Sequence, residues 1–258
     1  MNFEGKIAFI TGAGRGIGKT AALLLAKYGA DIVACDLNFS NLKETAEEVE
    51  ALGRRAIISE VNVTNKVDID KAVQQAVEEF GRIDILVNCA GIISTSLLVD
   101  AEEEMWDQIM GVNAKGTFLT CQSVAKQMIQ QNSGKIVNIS SIASKTAEYA
   151  NGLYCTSKAA VNMISQTLAL ELAQYNINVN AICPAYTNTD MMQNVFNNRG
   201  PVEGMTPEEY QNYLTSFVPL GRMADPIEIA ELIAFLSSDK SNFITGTTYT
   251  IAGGKELH

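Results

Sequence analysis

Residues 6–29 read KIAFITGAGRGIGKTAALLLAKYG, and this stretch decides the fold. It begins with a short apolar run at 7–11, continues through a glycine-rich turn at 12–18 and ends in residues at helical spacing before Gly29. Such an apolar run is typical of a strand that is buried on both faces of a parallel sheet. The order strand, glycine turn, helix therefore predicts the first unit of an α/β fold.

The glycine-rich turn is suited to binding an anion. A helix N-terminus carries unpaired backbone N–H groups and partial positive charge, and glycines let a ligand approach the backbone closely. The next apolar run ends at Asp36. A dinucleotide fold places a carboxylate against the adenosine ribose roughly 20 residues after the turn. The pattern therefore predicts a dinucleotide site, although a tight strand-to-helix turn without a ligand would use the same glycines.

The bulk composition narrows the class of protein. The chain has 258 residues, is 47% hydrophobic and carries a net charge of −10. These values favour one large α/β domain. The acidity, without any basic block, argues against nucleic acid or an anionic membrane as a partner. No apolar run approaches the roughly 20 residues of a membrane span, and no secretory signal is visible.

Cysteine and histidine usage limits the possible chemistry. The cysteines are scattered and odd in number, as expected for free thiols in a reduced, cytoplasmic protein. His258 is the only histidine, which excludes a catalytic triad built on histidine and argues against a metal site. Acid–base chemistry must therefore use other side chains.

Helical and apolar runs alternate along the whole chain. The alternation predicts a doubly wound (Rossmann) α/β fold, with a predominantly parallel seven-stranded sheet and helices on both faces. No repeat or linker divides the sequence, so residues 1–258 are interpreted as a single domain. We expect the third strand over 56–63 and one long helical stretch over 102–128. Residues 186–217 do not continue this alternation and are interpreted as a mobile insertion over a site.

A second group of candidate residues lies beyond the middle of the chain. Tyr154 and Lys158 stand at i and i+4, so a helix places them on one face. An ammonium beside a phenol lowers the phenol pKa, which makes the pair a candidate proton donor and acceptor. Ser141 follows the fifth apolar run, at the strand end where open α/β sheets bind ligands. On its own, the YxxxK spacing would equally fit a surface tyrosine and lysine without a role.

Together these motifs resemble the short-chain dehydrogenase/reductase family over nearly the whole chain. The turn follows TGxxxGxG rather than GxGxxG, and the remaining motifs occur in the order typical of the family. They are NxAG at 88–91, NxxG at 113–116, Ser141, YxxxK at 154–158 and Pro184 in PAYTNT. The resemblance implies an enzyme that transfers a hydride between NAD(P) and a CH–OH group.

The resemblance also implies a role for each matched residue. Tyr154 would transfer the proton, and Ser141 would hold the substrate oxygen. Lys158 would bind the nicotinamide ribose and lower the tyrosine pKa, and Asn113 would hold a water in a proton relay. The implied cofactor contacts are Gly12, Gly14, Arg15, Gly16, Ile17, Gly18, Asp36, Asn62, Val63, Asn88, Ala90, Gly91, Tyr154, Lys158, Pro184, Thr187 and Thr189. No metal ligand is implied.

Four positions depart from the pattern of the family. Cys89 replaces the second asparagine of NNAG, Asn62 replaces an aspartate near the adenine, Ala185 replaces a glycine and Ala252 replaces an aspartate. An amide at position 62 can still bond the adenine ring. None of the four changes removes a catalytic group.

Asp36 indicates the choice of cofactor. A carboxylate at the ribose hydroxyls repels the extra phosphate of NADP. Leu37, which follows, supplies no basic group, although Arg15 in the glycine turn could meet that phosphate. The sequence therefore favours NAD, with NADP as the alternative.

The leading functional hypothesis is NAD-dependent interconversion of a secondary alcohol and a ketone. Residues 186–217 are rich in amide side chains, which suit a small hydroxylated substrate, and the segment resembles loops of polyol and sugar dehydrogenases. One alternative is a 3-oxoacyl-[acyl-carrier-protein] reductase, which Asp36 and the acidity of the chain disfavour; another is a hydroxysteroid-type dehydrogenase. A third hypothesis is an NAD-sensing regulator without turnover, against which the intact catalytic set argues.

The resemblance further implies a homotetramer. Family members of this kind pair through the helical segments at 102–128 and 153–175. We expect Ala125, Met128, Ala169 and Ala173 to leave apolar surface that a partner copy would cover.

Overall fold

The computed structural model describes residues 1–255 and contains one parallel sheet of seven strands in the order β3-β2-β1-β4-β5-β6-β7. Every neighbouring pair is parallel. The strands are β1 (Ile7–Thr11), β2 (Asp31–Asp36), β3 (Ala56–Glu60), β4 (Ile85–Asn88), β5 (Gly134–Ile139), β6 (Ile177–Pro184) and β7 (Thr248–Ile251). The predicted fold class is confirmed.

Helices cover both faces of this sheet, as a parallel sheet requires. They are α1 (Gly16–Lys27), α2 (Phe39–Ala51), α3 (Lys66–Phe80), α4 (Glu103–Ile109), α5 (Gly116–Gln131), α6 (Gly152–Leu172), α7 (Asp190–Arg199), α8 (Pro207–Ser216) and α9 (Pro226–Ser237). A π-helical turn (Met110–Lys115) joins α4 to α5, and short 3₁₀ turns follow β5, α6, α7 and α9.

The first strand shows how the sheet divides two hydrophobic cores. All five residues of β1 are buried. Ala8 and Ile10 pack into the core that α1 and α9 share, whereas Ile7 and Phe9 pack into the core that α3 and α5 share. Alternate side chains of a strand point to opposite faces, so an unbroken apolar run is what a strand between two helical layers needs.

The strand order places a crevice at the carboxyl ends of the central strands. From β1 the chain winds outward through β2 and β3, and it then returns to add β4 on the other side of β1. Helices on the two sides of such a reversal lie on opposite faces of the sheet, and this leaves a gap where ligands bind. The glycine turn after β1 lies at this gap.

Two expected elements differ in the structure. The third strand ends at Glu60 rather than at residue 63. Beyond it, the Val61 N–H still donates to the carbonyl of Asp36 at 2.9 Å before the chain turns away. The helical stretch expected over 102–128 is interrupted by the π-helical turn. At the start of α5, Gly116 packs so closely that a Cβ would lie 2.8 Å from the Val63 side chain.

The segment expected as an irregular insertion is largely helical. Helices α7 and α8, with the turn between them, are called here the α7–α8 segment (residues 190–216). The segment has a small hydrophobic core of its own, which contains Val195, Phe196 and Tyr210. The sequence predicts that its amide side chains suit a hydroxylated substrate, and this stays a prediction. They are exposed and none of them lines the main cavity: Gln193, Asn194, Asn197 and Asn198.

The residues expected to leave apolar surface for a partner also need correction. Ala125, Met128 and Ala169 are each no more than 5% exposed within one protomer, because they face the core beneath α5 and α6. Ala173 is exposed. Larger apolar side chains on the same two helices are exposed instead: Phe118 (43%), Met163 (62%) and Leu170 (83%).

Candidate active site

The glycine turn packs α1 tightly against the end of β1. Gly12 has a φ of +67°, a left-handed conformation that favours glycine, and a Cβ there would lie 2.7 Å from the Ala90 nitrogen. A Cβ at Gly18 would overlap the carbonyl of Gly12. Arg15 precedes the helix and makes no side-chain capping hydrogen bond. The N–H groups at the start of α1 are therefore available to an anion such as a pyrophosphate.

The carboxylate of Asp36 is fixed beside this turn. One of its oxygens accepts a hydrogen bond from the Gly14 N–H and the other from the Asn38 N–H, both at 3.0 Å. Arg15 lies 3.9 Å from the carboxylate of Asp190 on α7, and both side chains are largely exposed. The Asp36 carboxylate is thus held in one position by backbone N–H groups. The Arg15 guanidinium, in contrast, lies near the carboxylate of Asp190.

A cavity of about 1080 Å³ opens above the carboxyl ends of β1, β2 and β4. Many of the predicted cofactor contacts line it: Gly12, Arg15, Gly16, Ile17, Gly18, Asp36, Asn62, Val63, Ala90, Gly91 and Thr189. The size of the cavity, its helix N-terminus and its carboxylate fit a dinucleotide.

Four predicted cofactor residues lie behind or beside the cavity wall. Gly14 contributes its backbone N–H to Asp36. Asn88 is buried, and its amide donates to Asn138 at 2.8 Å, so its side chain links β4 to β5. Pro184 ends β6, and Thr187 is buried in a parallel bridge to Ala224.

Two of the predicted catalytic side chains reach the cavity wall at Gly91. A Cβ on this glycine would lie 3.5 Å from the Lys158 Nζ and 3.4 Å from the Asn113 Oδ1. Lys158 is buried and donates to the carbonyl of Ile139 at 2.8 Å. Its Nζ lies 5.6 Å from the centre of the Tyr154 ring. The first turns of α6 therefore bring Lys158 to the cavity wall, with the Tyr154 ring beside it.

Asn113 has no exposed surface and sits in the π-helical turn. Its Oδ1 accepts from the Ile92 N–H, and its Nδ2 donates to the Ile92 carbonyl, both at 2.9 Å. The same Nδ2 donates to the Ser157 hydroxyl at 3.0 Å. The backbone carbonyl of Asn113 accepts a hydrogen bond from the Thr117 hydroxyl. The side chain thus ties the loop after β4 to α6, and the water relay stays a prediction.

Ser141 lies two residues beyond β5 and caps the 3₁₀ turn that follows. Its hydroxyl accepts from the Ala143 N–H at 3.2 Å. Asn162, one turn after Lys158 on α6, donates to the Ser144 hydroxyl at 2.7 Å and so fastens this turn to the catalytic helix. Ser141 and Tyr154 are both half-buried.

The pKa of Tyr154 differs from the one that its spacing from Lys158 predicts, since the phenol pKa was expected to be lowered. Burial raises the pKa of the Tyr154 phenol, and a hydrogen bond with Ser141 acts in the opposite direction. Burial lowers the pKa of Lys158 to about 8. Loss of contact with water is therefore the main cause of both shifts in pKa, and it favours the uncharged form of each group.

Sequence reasoning missed the charged groups around the tyrosine. The Glu148 carboxylate accepts from the Asn151 amide at 2.7 Å and lies 4.0 Å from the Lys255 Nζ. Lys255 also lies above the ring of Tyr186. Glu148 is close enough to Tyr154 to raise the phenol pKa. Neither charged residue belongs to a motif, so only their meeting in the fold reveals them.

Residues 1–255 contain neither a metal-binding cluster of side chains nor a helix suited to cross a membrane. No cluster of histidine, cysteine or acidic side chains in this part of the chain could hold a metal ion. None of the helices described is long and apolar enough to cross a membrane.

A glycine turn at the switch point of a Rossmann sheet, next to a buried lysine with a half-buried tyrosine beside it, defines a nicotinamide-dependent oxidoreductase. The sequence model of the family described as short chain dehydrogenase matches residues 6–200. The chain belongs to this family, as its motifs predicted.

Relatives with several activities align over almost the whole chain. A 3-oxoacyl-[acyl-carrier-protein] reductase of Thermotoga maritima is 40% identical and covers 98% of this chain and 99% of its own. A 2,3-dihydro-2,3-dihydroxybenzoate dehydrogenase of Bacillus subtilis is 37% identical, with coverage of 98% and 97%. The structure of an NAD⁺-bound xylitol dehydrogenase superposes with a TM-score of 0.95 at 34% identity, with coverage of 98% and 100%.

Proposed function

We propose that this enzyme oxidises a secondary alcohol to a ketone with NAD as the acceptor, and that its substrate is a polyol, a sugar or a sugar derivative. The observation that carries the proposal is the position of Lys158, with the Tyr154 ring beside it, behind Gly91 in the wall of the cavity that Asp36 borders. The likeness to an NAD⁺-bound xylitol dehydrogenase supports both the cofactor and the substrate class.

In this proposal each catalytic side chain acts on one part of the reaction. The Tyr154 oxygen accepts the proton of the substrate hydroxyl, while Ser141 donates a hydrogen bond to the same oxygen as it becomes a carbonyl. Lys158 binds the nicotinamide ribose. Bound NAD⁺ supplies the hydride acceptor and a positive charge. Because burial raises the pKa of Tyr154, positive charge nearby is needed for the phenolate to form at neutral pH.

The preference for NAD rests on Asp36. Its carboxylate is held by two backbone N–H groups and cannot turn away without losing both bonds. A phosphate on the adenosine ribose would meet this fixed negative charge. Arg15, which could attract that phosphate, already lies near Asp190.

A second candidate function is the reduction of a 3-oxoacyl thioester, favoured by the relative at 40% identity. The fixed Asp36 carboxylate and the net charge of −10 argue against it, because an acidic carrier protein is attracted by a basic surface. A hydroxysteroid substrate has less support, since the charged side chains of Glu148 and Lys255 lie near the start of the helix that carries Tyr154.

The test is a substrate panel with the purified protein. Polyols, sugars, steroids and acetoacetyl thioesters are offered with NAD or NADP, and NADH or NADPH absorbance is followed. The proposal expects the highest kcat/KM for a polyol or sugar with NAD. Turnover of the thioester with NADPH alone would replace it by the reductase function.

The exposed side chains on α5 and α6 support a homotetramer as the working assembly. Phe118, Met163 and Leu170 present apolar surface that solvent disfavours and that a symmetric pairing of helices would bury.

A further inference from the structure

Two charged side chains from distant parts of the chain meet beside the catalytic tyrosine. Glu148 precedes α6, and Lys255 follows β7. The Lys255 Nζ lies 4.0 Å from the nearest carboxylate oxygen of Glu148, and the two side chains are 17% and 26% exposed. Neither lines the cofactor cavity. Glu148 binds Asn151, the residue before α6, so the pair lies near the start of the helix that carries Tyr154 and outside the cofactor cavity.

Glu148 is held in a fixed position relative to the catalytic helix. Its second carboxylate oxygen accepts from the Nδ2 of Asn151, which is 3% exposed and immediately precedes α6. Ala150 has a φ of +54°, and its carbonyl accepts from the Ser96 N–H at 3.0 Å. The turn that carries Glu148 is thus anchored at both its backbone and its side chain.

Lys255 is positioned by an aromatic ring. Its Nζ lies 4.5 Å from the centre of the Tyr186 ring, a distance at which the cation is attracted by the ring face. Tyr186 follows β6 by two residues and is half-buried. The carbonyl of Tyr149, the residue after Glu148, accepts a hydrogen bond from the Arg199 guanidinium on α7 at 3.3 Å, so this turn lies between the catalytic helix and the α7–α8 segment.

The distance between the two charges determines which group fits between them. At 4.0 Å the ammonium and the carboxylate oxygen are too far apart for a direct hydrogen bond. A hydroxyl oxygen at about 2.8 Å from both would receive a hydrogen bond from the lysine and donate one to the glutamate, at an angle of about 90°. A hydroxyl can do both because it carries a donor and an acceptor on one atom.

We propose that Glu148 and Lys255 form a second hydroxyl-binding subsite that selects substrates with a hydroxyl beyond the one being oxidised. The inference rests on the proposed alcohol dehydrogenase function and names its substrate class, an uncharged polyol. An anionic group would be repelled by Glu148, and an apolar chain would remove both charges from water without replacing their hydrogen bonds.

The test compares xylitol with 2-pentanol, which has the same number of carbons and a single hydroxyl. Glu148→Gln removes the charged acceptor at nearly constant size, and Lys255→Met removes the donor. Each change should lower kcat/KM for xylitol by about 10- to 100-fold more than for 2-pentanol. The double variant should lose little more than the single ones, because both side chains bind one hydroxyl.

The matched control is Glu171→Gln, an exposed glutamate at the far end of α6. It should keep the wild-type ratio of the two efficiencies. If the wild type oxidises xylitol but Glu148→Gln keeps this ratio, or if Glu171→Gln changes it as much, the subsite is wrong and the proposed function survives. If the wild type oxidises 2-pentanol but no polyol, both are wrong.

Discussion

Replacing Lys158 by methionine is expected to change the pH dependence of folding stability. Lys158 is 5% exposed, and burial lowers its pKa from 10.5 to about 8. Near pH 7 the folded protein without cofactor therefore holds a buried ammonium, which opposes folding because the charge has lost its contact with water. Methionine fills a similar volume and carries no charge, so it removes this cost.

The magnitude follows from the two pKa values. Each unit of pKa difference corresponds to about 1.4 kcal/mol, so the step from 10.5 to about 8 amounts to about 3 kcal/mol. Between these pH values the unfolded chain binds the proton that the folded chain has released. The stability of the wild type therefore rises with pH over this range, whereas that of Lys158→Met has no such contribution.

The hydrogen bond to the Ile139 carbonyl is lost in the variant at every pH. Loss of this hydrogen bond lowers the free energy of unfolding by about 1–3 kcal/mol. In the wild type, Lys158 can donate the bond both as an ammonium and as a neutral amine. The loss is therefore nearly the same at every pH. We therefore expect the free energy of unfolding of Lys158→Met, measured against the wild type, to fall by about 3 kcal/mol between pH 7 and pH 10.5.

Urea unfolding at a fixed protein concentration, repeated across this pH range, measures the difference. Lys71→Met is the control, because Lys71 is exposed on α3 and its removal should leave the pH dependence unchanged. If the difference in free energy of unfolding between Lys158→Met and the wild type does not vary with pH, the reasoning is refuted. Such a result would mean that folding does not lower the pKa of Lys158.

Three other outcomes are expected. Tyr154→Phe should lower kcat by about 10²- to 10⁴-fold with little change in NAD affinity. The rate of alcohol oxidation by the wild type should rise with pH as the Tyr154 phenol ionises. Substantial turnover by Tyr154→Phe would mean that another group transfers the proton. Asp36→Ala should reduce the ratio of kcat/KM for NAD over NADP, and a wild type that uses both equally would contradict the role of Asp36. Light scattering at micromolar concentration should give a tetramer that Leu170→Glu weakens, whereas a wild-type monomer would refute the assembly.

The part of the site that lies next to sequence motifs could be predicted. One short stretch of chain contains the first strand, the glycine turn and Asp36 at the end of the second strand. Their spacing along the sequence therefore indicates how they lie relative to one another. The same holds for Tyr154 and Lys158, which are one helical turn apart. The parallel seven-stranded sheet could be predicted because strands that alternate with helices along a chain allow few arrangements.

What the sequence did not reveal depends on contacts between distant segments. Glu148 and Lys255 carry no pattern that connects them, and only the end of β7 brings them together. The raised pKa of Tyr154 depends on how much water the fold removes, which a spacing of i and i+4 does not report. The burial of Met128 and the exposure of Leu170 likewise depend on how the long helices are rotated against the sheet.

The α7–α8 segment has a consequence for how such an enzyme can diverge. Its core around Val195, Phe196 and Tyr210 is separate from the two cores that flank the sheet. Substitutions within this small core leave the packing of the two cores beside the sheet unchanged. Mutations in this segment therefore cost the scaffold little folding stability, and the segment can change in sequence while the sheet and its helices stay as they are.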